Sequence, residues 1–274
     1  MCGRYAVITK VKAIEKRFNL NDSSQEFAAN ANVATGDFAP VITSENPKEL
    51  QLFQFGFTPK WASKKMYVIN ARSEGDKNKD NDRSYTGSMG IINKPMFREA
   101  IRKKRCLVIA DGFFEGPQKE KLNKPYFFYP TKGKRTFAFA GIWDEWIDET
   151  SGEISGSFAI ITTVSNKATH AIGHHRSPVI LDESDEKLWL NEGADLGEVL
   201  NLLKPAGDDL LNAYPVDKEV KSIKNKDLWL LEPKGQRIFP EFDYEIFQEL
   251  QLEGMGSTTA RKRKNNEPKQ GSLF

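Results

Sequence analysis

The chain opens Met1-Cys2-Gly3-Arg4-Tyr5. Cysteine is small enough for an aminopeptidase to excise a preceding Met, which would leave Cys2 with both a free α-amine and a thiol. In unperturbed models the amine of such a 1,2-aminothiol titrates near roughly 7.7–8 and the thiol near roughly 8.5, so part of each is nucleophilic around neutral pH. An aldehyde suits the pair. The amine condenses to an imine with loss of water, and the thiol then adds to the same carbon and closes a five-membered thiazolidine that resists hydrolysis. Taken alone, Cys2 is equally compatible with an unstructured start. Its neighbours supply a flexible backbone at Gly3, a phosphate-seeking guanidinium at Arg4 and an aromatic face at Tyr5.

Further blocks follow in order: Gly56-Phe57-Thr58-Pro59-Lys60-Trp61, Ile69-Asn70-Ala71-Arg72-Ser73-Glu74, the run from Arg105 through Asp111-Gly112-Phe113-Phe114 to Glu115, and His174-His175-Arg176-Ser177-Pro178. Together with the opening residues they resemble the SOS-response-associated peptidase family of abasic-site processing proteins, whose blocks read GxxPxW, INARxE, RCLxPADGFYE and HxRMP. The resemblance covers roughly residues 1–230. It implies covalent capture of abasic sites in single-stranded DNA by Cys2, with β-elimination through the imine as an accompanying lyase activity.

The resemblance also gives the other residues their roles. An abasic sugar is mostly a closed hemiacetal, so its aldehyde appears only after proton transfer opens the ring. Glu115 is the expected acid and base, at the end of an apolar run where partial burial would raise its pKa. The family pattern selects His174 of the three histidines as the group that steadies or protonates the sugar hydroxyl and promotes reversal, with His175 as the fallback. Asn70 can hold the Cys2 amine without competing as a base. Arg4, Arg72 and Arg176 are expected on DNA phosphates, and Trp61 offers a face on which an unstacked base can lie. Cys106 lies within an apolar run and is expected to pack as a small hydrophobe. Three departures stand out: Gly116-Pro117 where the family usually has Trp after the glutamate, Ile109 where Pro is common, and Ser177 where Met or Arg is common.

These groups need a scaffold. Apolar runs of strand length bounded by turn residues occupy 51–57, 105–114, 125–130, 136–143, 157–164 and 177–181. Amphipathic spacing predicts short helices over Val11–Phe18, Met96–Lys103, Asp185–Leu190 and Gly197–Leu203. The fold class expected is α+β: a single β-rich domain with a mixed, largely antiparallel sheet or barrel-like core and short flanking helices. Residues Gly75–Gly90, poor in apolar side chains, read as a long mobile loop. The catalytic domain is expected over 1–250, followed by a disordered basic tail over 253–274.

With 39% hydrophobic and 11% aromatic residues, the chain can bury a substantial core. No stretch approaches the roughly 18 consecutive apolar residues of a membrane span, and residues 1–20 lack an apolar signal segment, so a cytoplasmic, nucleoid-associated bacterial protein is expected. Two cysteines, far apart in sequence, make a disulfide framework or zinc site a poor reading, and neither metal nor cofactor is expected. The net charge of +2 hides an asymmetry, because residues 60–105 carry 13 Lys/Arg against 5 Asp/Glu. Such a block suits a polyanion.

The terminal Gln270-Gly271-Ser272-Leu273-Phe274 resembles the bacterial sliding-clamp-binding pentapeptide. The partners expected are therefore single-stranded DNA with abasic sites and, through Gln270–Phe274, the replication clamp, with the protein acting as a monomer. Two alternative readings remain open at this level: a thiol peptidase acting through Cys2, and a non-covalent reader of single-stranded or modified DNA.

Overall fold

The computed structural model describes residues 2–131 and 136–242. In chain order the first half holds β1 (Arg4–Val7), α1 (Val11–Phe18), β2 (Asn30–Ala34), β3 (Phe38–Thr43), β4 (Gln51–Phe55), β5 (Asn70–Arg72), α2 (Ala100–Lys103), β6 (Arg105–Ala110) and β7 (Gly112–Glu115). The second half holds β8 (Tyr126–Pro130), β9 (Phe137–Ile147), β10 (Ile154–Val164), α3 (Lys167–Ala171), β11 (Arg176–Pro178), β12 (Ile180–Leu181), α4 (Glu186–Leu190), α5 (Leu196–Asn201) and β13 (Leu211–Pro215). The architecture is the α+β, β-rich single domain that the apolar runs predict. The tail with its clamp-like pentapeptide lies outside the described residues.

Strands β10, β4, β3, β6 and β9 pair in that order, and β9 pairs back onto β10, so the five close a barrel. Pairing of β10 with β4 and with β5 is parallel, and every other strand pair among the described residues is antiparallel. A second sheet, ordered β13-β8-β7-β1-β2, packs against the barrel. Tyr5 of β1 sets its edge on Phe55 and Phe139, and Phe113 of β7 stacks on Phe128 at 4.8 Å while meeting Phe139 edge-on. Burial of each such ring contributes about 1.5–3 kcal/mol, which is what holds the sheet that carries Cys2 against the barrel.

Two buried charged residues fix the joints. Arg105 donates to the carbonyls of Ile101, Arg102, Trp189 and Asn191, tying β6 to α2 and α4. A buried guanidinium is tolerated only when its donors are used in this way. Asp111 accepts from the Ile8 and Thr9 amides at 2.6 and 2.8 Å and from the hydroxyls of Thr9 and Thr136 at 2.6 and 3.0 Å. It therefore anchors the end of β1 where the chain leaves the barrel for the second sheet.

Several elements differ from the sequence expectation. The apolar run over 105–114 is cut at Asp111 into β6 of the barrel and β7 of the second sheet, because the side chain at the break satisfies another strand's amides. Gly112 begins β7, and a Cβ there would sit 2.2 Å from the Phe127 ring. The run over 177–181 is likewise divided, β11 pairing with β10 and β12 with β9. Helix α2 occupies only the end of 96–103, after turns that follow Pro95. Strands β1, β2, β3, β5 and β13 and helix α3 gave no strong periodic signal.

The polar excursion over 75–90 is folded rather than open. Ile91 N–H donates to Ser73 O and Lys77 N–H to Glu74 O, while Asn78 is buried with its side chain bonded to Asp82 backbone. Gly75 lies at φ +57, and a Cβ on it would meet the Gly90 backbone at 2.9 Å, so the two glycines close the neck. Hydrogen bonds supply the order that apolar side chains do not.

Candidate active site

Strand pairing converts separate sequence blocks into one cluster. The antiparallel register Tyr5↔Phe113 and Ala6↔Gly112, extended by two residues, sets Gly3 against Glu115 and brings the Cys2 end of the chain beside that carboxyl. Strand β5 lies parallel to β10 with Asn70 opposite Ile160, and β11 lies on β10 with Arg176 opposite Val164. The Asn70 amide donates to Cys2 O at 3.0 Å. His174 follows α3, whose start is capped by the Asn166 side chain accepting from Thr169 N–H at 2.9 Å, and His174 N–H in turn donates to Thr169 O. Its Nε2 lies 3.5 Å from Glu115 Oε2, and its Nδ1 lies 2.8 Å from Gly116 O. Cys2, Asn70, Glu115 and His174 thus meet at the junction of the two sheets.

The junction is dry. Cys2 is 1% exposed, and Glu115 and His174 are buried. Burial pushes the Cys2 thiol well above its ordinary range, and the neighbouring Glu115 carboxylate pushes it further the same way. Burial likewise raises the Glu115 carboxyl. Burial lowers His174 to about 3, so its imidazole is neutral at physiological pH. Each shift favours the uncharged form, as expected where water is excluded and desolvation is the largest effect. Asn70 Oδ1 is buried with no hydrogen-bond partner among the described residues, while the amide nitrogen of the same side chain holds the Cys2 carbonyl.

The expected phosphate ligands separate into two kinds. Arg176 is only 3% exposed and forms a two-pronged pair with Glu74 at 3.1 and 2.9 Å while also donating to Thr162 O. Both of its terminal nitrogens are engaged inside the protein, so it braces β11 against β10 and Glu74. Arg72 is partly exposed and is held by the Asn78 carbonyl and Asn81 Oδ1. Arg4, half-buried, donates to Lys221 O at 3.2 Å, and its buried Nε has no hydrogen-bond partner among the described residues. These two guanidiniums can still turn toward a phosphate.

Trp61 is 60% exposed, outside the cluster: Trp146 Nε1 of β9 donates to Ala62 O at 2.7 Å, so Trp61 stands beside the hairpin end of the long strands. Three residues carried no assigned role in the sequence. Glu74 lies inside the INARxE-like block but becomes significant only as the partner of Arg176. Tyr67 is 50% exposed three residues before Asn70, backed by Gly56, whose Cβ would come within 3.0 Å of the ring. Gly116 touches both proton-carrying side chains, its N–H donating to Glu115 Oε1 at 3.3 Å. Exposed aromatic character was legible at Tyr67, but nothing in the sequence marked Gly116 beyond its departure from the family pattern. His175 stacks near His174 with ring centroids 4.9 Å apart. Cys106 is fully buried in the barrel core. A cavity of about 460 Å3 between α1 and α4, lined by Phe18, Ile42, Leu107 and Leu190 among others, shares no residue with the Cys2 cluster.

A barrel and covering sheet that bury a cysteine, a glutamate and a histidine at their seam define the class, and comparison with known proteins agrees. The model of the SOS response associated peptidase (SRAP) family matches residues 1–223, and the chain belongs to that family. Abasic site processing protein YoqW of Bacillus subtilis (strain 168) is 30% identical over 239 residues, covering 85% of this chain and 99% of the relative. Abasic site processing protein HMCES of Xenopus tropicalis is 26% identical, covering 82% of this chain and 76% of that protein. A crystal structure of a protein from Bacteroides thetaiotaomicron superposes with a TM-score of 0.70 at 30% identity, covering 84% of this chain and 98% of the other.

Proposed function

We propose that this protein captures abasic sites in single-stranded DNA by forming a thiazolidine crosslink through Cys2 after Met1 is removed. The observation that carries the reading is the convergence of Cys2, Asn70, Glu115 and His174, in a chain whose near full-length relatives are named abasic site processing proteins. In this reading the protonated Glu115 donates to the ring oxygen as the ring C–O bond of the hemiacetal breaks, the anomeric hydroxyl returns a proton to the Glu115 carboxylate, and the aldehyde appears. Asn70 Oδ1, without a hydrogen-bond partner among the described residues, accepts from the freed Cys2 amine and orients it. The neutral amine attacks, water leaves, and an imine forms. The thiol then adds across the C=N bond: sulfur bonds the carbon, and the thiol proton ends on nitrogen by way of Glu115. β-Elimination from the imine, in which a C2′ proton is removed and the 3′ phosphate leaves, would give strand cleavage, a lyase outcome in competition with ring closure.

Arg4 and Arg72 hold the flanking phosphates, and Trp61 takes an unpaired base. The tail over 253–274 serves as a tether whose end, Gln270–Phe274, docks on the sliding clamp. A peptide of residues 266–274 should bind a bacterial clamp, and no binding at high micromolar concentration would end that part. The principal test is incubation of the purified chain with an abasic oligonucleotide, read by denaturing gel and intact mass. A heat-stable adduct that lacks Met1 and disappears in Cys2→Ala is expected, whereas an adduct that survives Cys2→Ala would overturn the reading.

A further inference from the structure

Gly116 joins the two groups assigned to move protons, and its geometry determines what one of them can do. Its carbonyl oxygen lies 2.8 Å from His174 Nδ1. A carbonyl has no proton to give, so the hydrogen between them belongs to Nδ1. A neutral imidazole carries one N–H, and Nε2 is then a bare lone pair, 3.5 Å from Glu115 Oε2. The Gly116 N–H meanwhile donates to the other carboxyl oxygen of Glu115 at 3.3 Å. One peptide group therefore contacts both residues.

That peptide group is held by the turn that follows it. A Cβ on residue 116 would lie 1.8 Å from Lys121 O, 2.6 Å from its carbonyl carbon and 2.9 Å from Lys124 O, all backbone atoms with no flexible end to yield. The turn closes by Lys121 N–H donating to Pro117 O at 2.7 Å, with Lys121 in the left-handed region at φ +51. It is tied to the approach to His174 through Gln118 N–H and Gly173 O at 3.1 Å. At its far end Asn123 Oδ1 accepts from Lys221 Nζ, and the carbonyl of Lys221 is the one that Arg4 meets.

We propose that the Gly116 carbonyl locks His174 in the Nδ1–H tautomer, so that Nε2 is a proton acceptor facing Glu115, and that the turn over residues 117–124 makes glycine obligatory at position 116. Gly116 is a positioning residue, and His174 is the group through which it acts. The consequence, which rests on the proposed function, is a direction for proton flow. His174 cannot protonate a sugar hydroxyl in its resting state. It first accepts at Nε2, from that hydroxyl or from the Glu115 carboxyl; in the latter case the O–H bond of Glu115 breaks, an N–H bond forms, and a carboxylate–imidazolium pair results. Donation follows only after that transfer.

Long-range proton–nitrogen NMR of the purified, 15N-labelled chain reads the tautomer directly, and the presence of only three histidines keeps assignment simple. His174 should show the protonated-nitrogen signature at Nδ1 and the bare-nitrogen signature at Nε2 between about pH 6 and 8. A proton on Nε2 in the unmodified chain would overturn the proposal. Gly116→Ala should convert His174 to a mixture or to the Nε2–H form and slow adduct formation at least about tenfold, with Arg4-dependent DNA affinity falling less. Unchanged tautomer and rate in Gly116→Ala would overturn the requirement for glycine. The tautomer is read without DNA, so an Nδ1–H imidazole in a protein that forms no adduct would refute the proposed function and leave this inference standing.

Discussion

Two clusters of polar side chains lie against β10, and they treat charge in opposite ways. Beside Thr162 and Val164, Arg176 and Glu74 are both buried and pair through two contacts, with Thr162 O taking a further guanidinium hydrogen. Burial works to raise the Glu74 carboxyl, but the Arg176 guanidinium outweighs it and holds the carboxyl below its ordinary value. Nearer the mouth of the second sheet, Cys2, Glu115 and His174 are equally buried, desolvation outweighs the neighbouring charges, and every shift there favours the neutral form. A compensated pair resists any change in protonation and serves as frame. Groups held neutral chiefly by burial change protonation once a substrate brings charge, which is what acid and base chemistry requires.

The sharpest way to break this contrast is Glu115→Gln. Adduct formation should fall about 100-fold to 10,000-fold, the range of a lost general acid or base. The same change should raise the melting temperature at pH 7 to 8. The carboxyl's pKa is raised in the fold, so the native state binds the proton more tightly than the unfolded chain and stability declines as pH climbs above the ordinary carboxylate range. A variant that loses activity and stability together would erase the distinction between chemistry and frame.

Arg176→Ala tests the other cluster. Removing one partner strands a buried carboxylate and should cost about 3–5 kcal/mol in denaturant unfolding, whereas Arg176→Met with Glu74→Leu should recover much of it. Noncovalent DNA affinity of the folded fraction, measured in Cys2→Ala, should change little. A loss of affinity with stability intact would return Arg176 to the phosphate ligands. Smaller effects belong to the exposed aromatics: Trp61→Ala and Tyr67→Ala should each weaken single-strand binding by about 1–3 kcal/mol if a base stacks on the ring, without altering the melting temperature.

The last expected effect is a slope. His174 titrates near 3 in the fold, below its ordinary value, so its contribution to stability is complete above about pH 6.5 and is lost as pH falls toward 3. The loss is at most about 1.4 kcal/mol per pH unit. Replacement by Gln should flatten the stability profile across that window, and an unaltered slope would mean that His174 is already charged in the native state.

What could be read from the chain alone was the inventory of chemistry and the kind of scaffold. Cys2, Asn70, Glu115 and His174 announce themselves by residue type and ordered blocks, and the long apolar runs of β9 and β10 declare a β-rich core because strand burial leaves a local pattern. Helix Val11–Phe18 carries the same kind of local signal and forms as expected. Short strands such as β1 and β5 carry too few residues to show a period, and they are the ones that deliver Cys2 and Asn70. The roles of the arginines were not legible either, since a guanidinium looks the same whether it meets DNA or Glu74, and the partner is chosen by the β5 and β11 registers on β10. Gly116 is the clearest case. Its sequence signal is the lack of a side chain, and only the turn that brings Lys121 O within 1.8 Å of a would-be Cβ, with the His174 ring on the other side, turns that lack into a constraint. Local composition determined which groups were available. Long-range pairing decided which of them desolvation holds neutral at the seam between barrel and sheet, because burial and charge pairing are properties of the assembled neighbourhood and not of any segment.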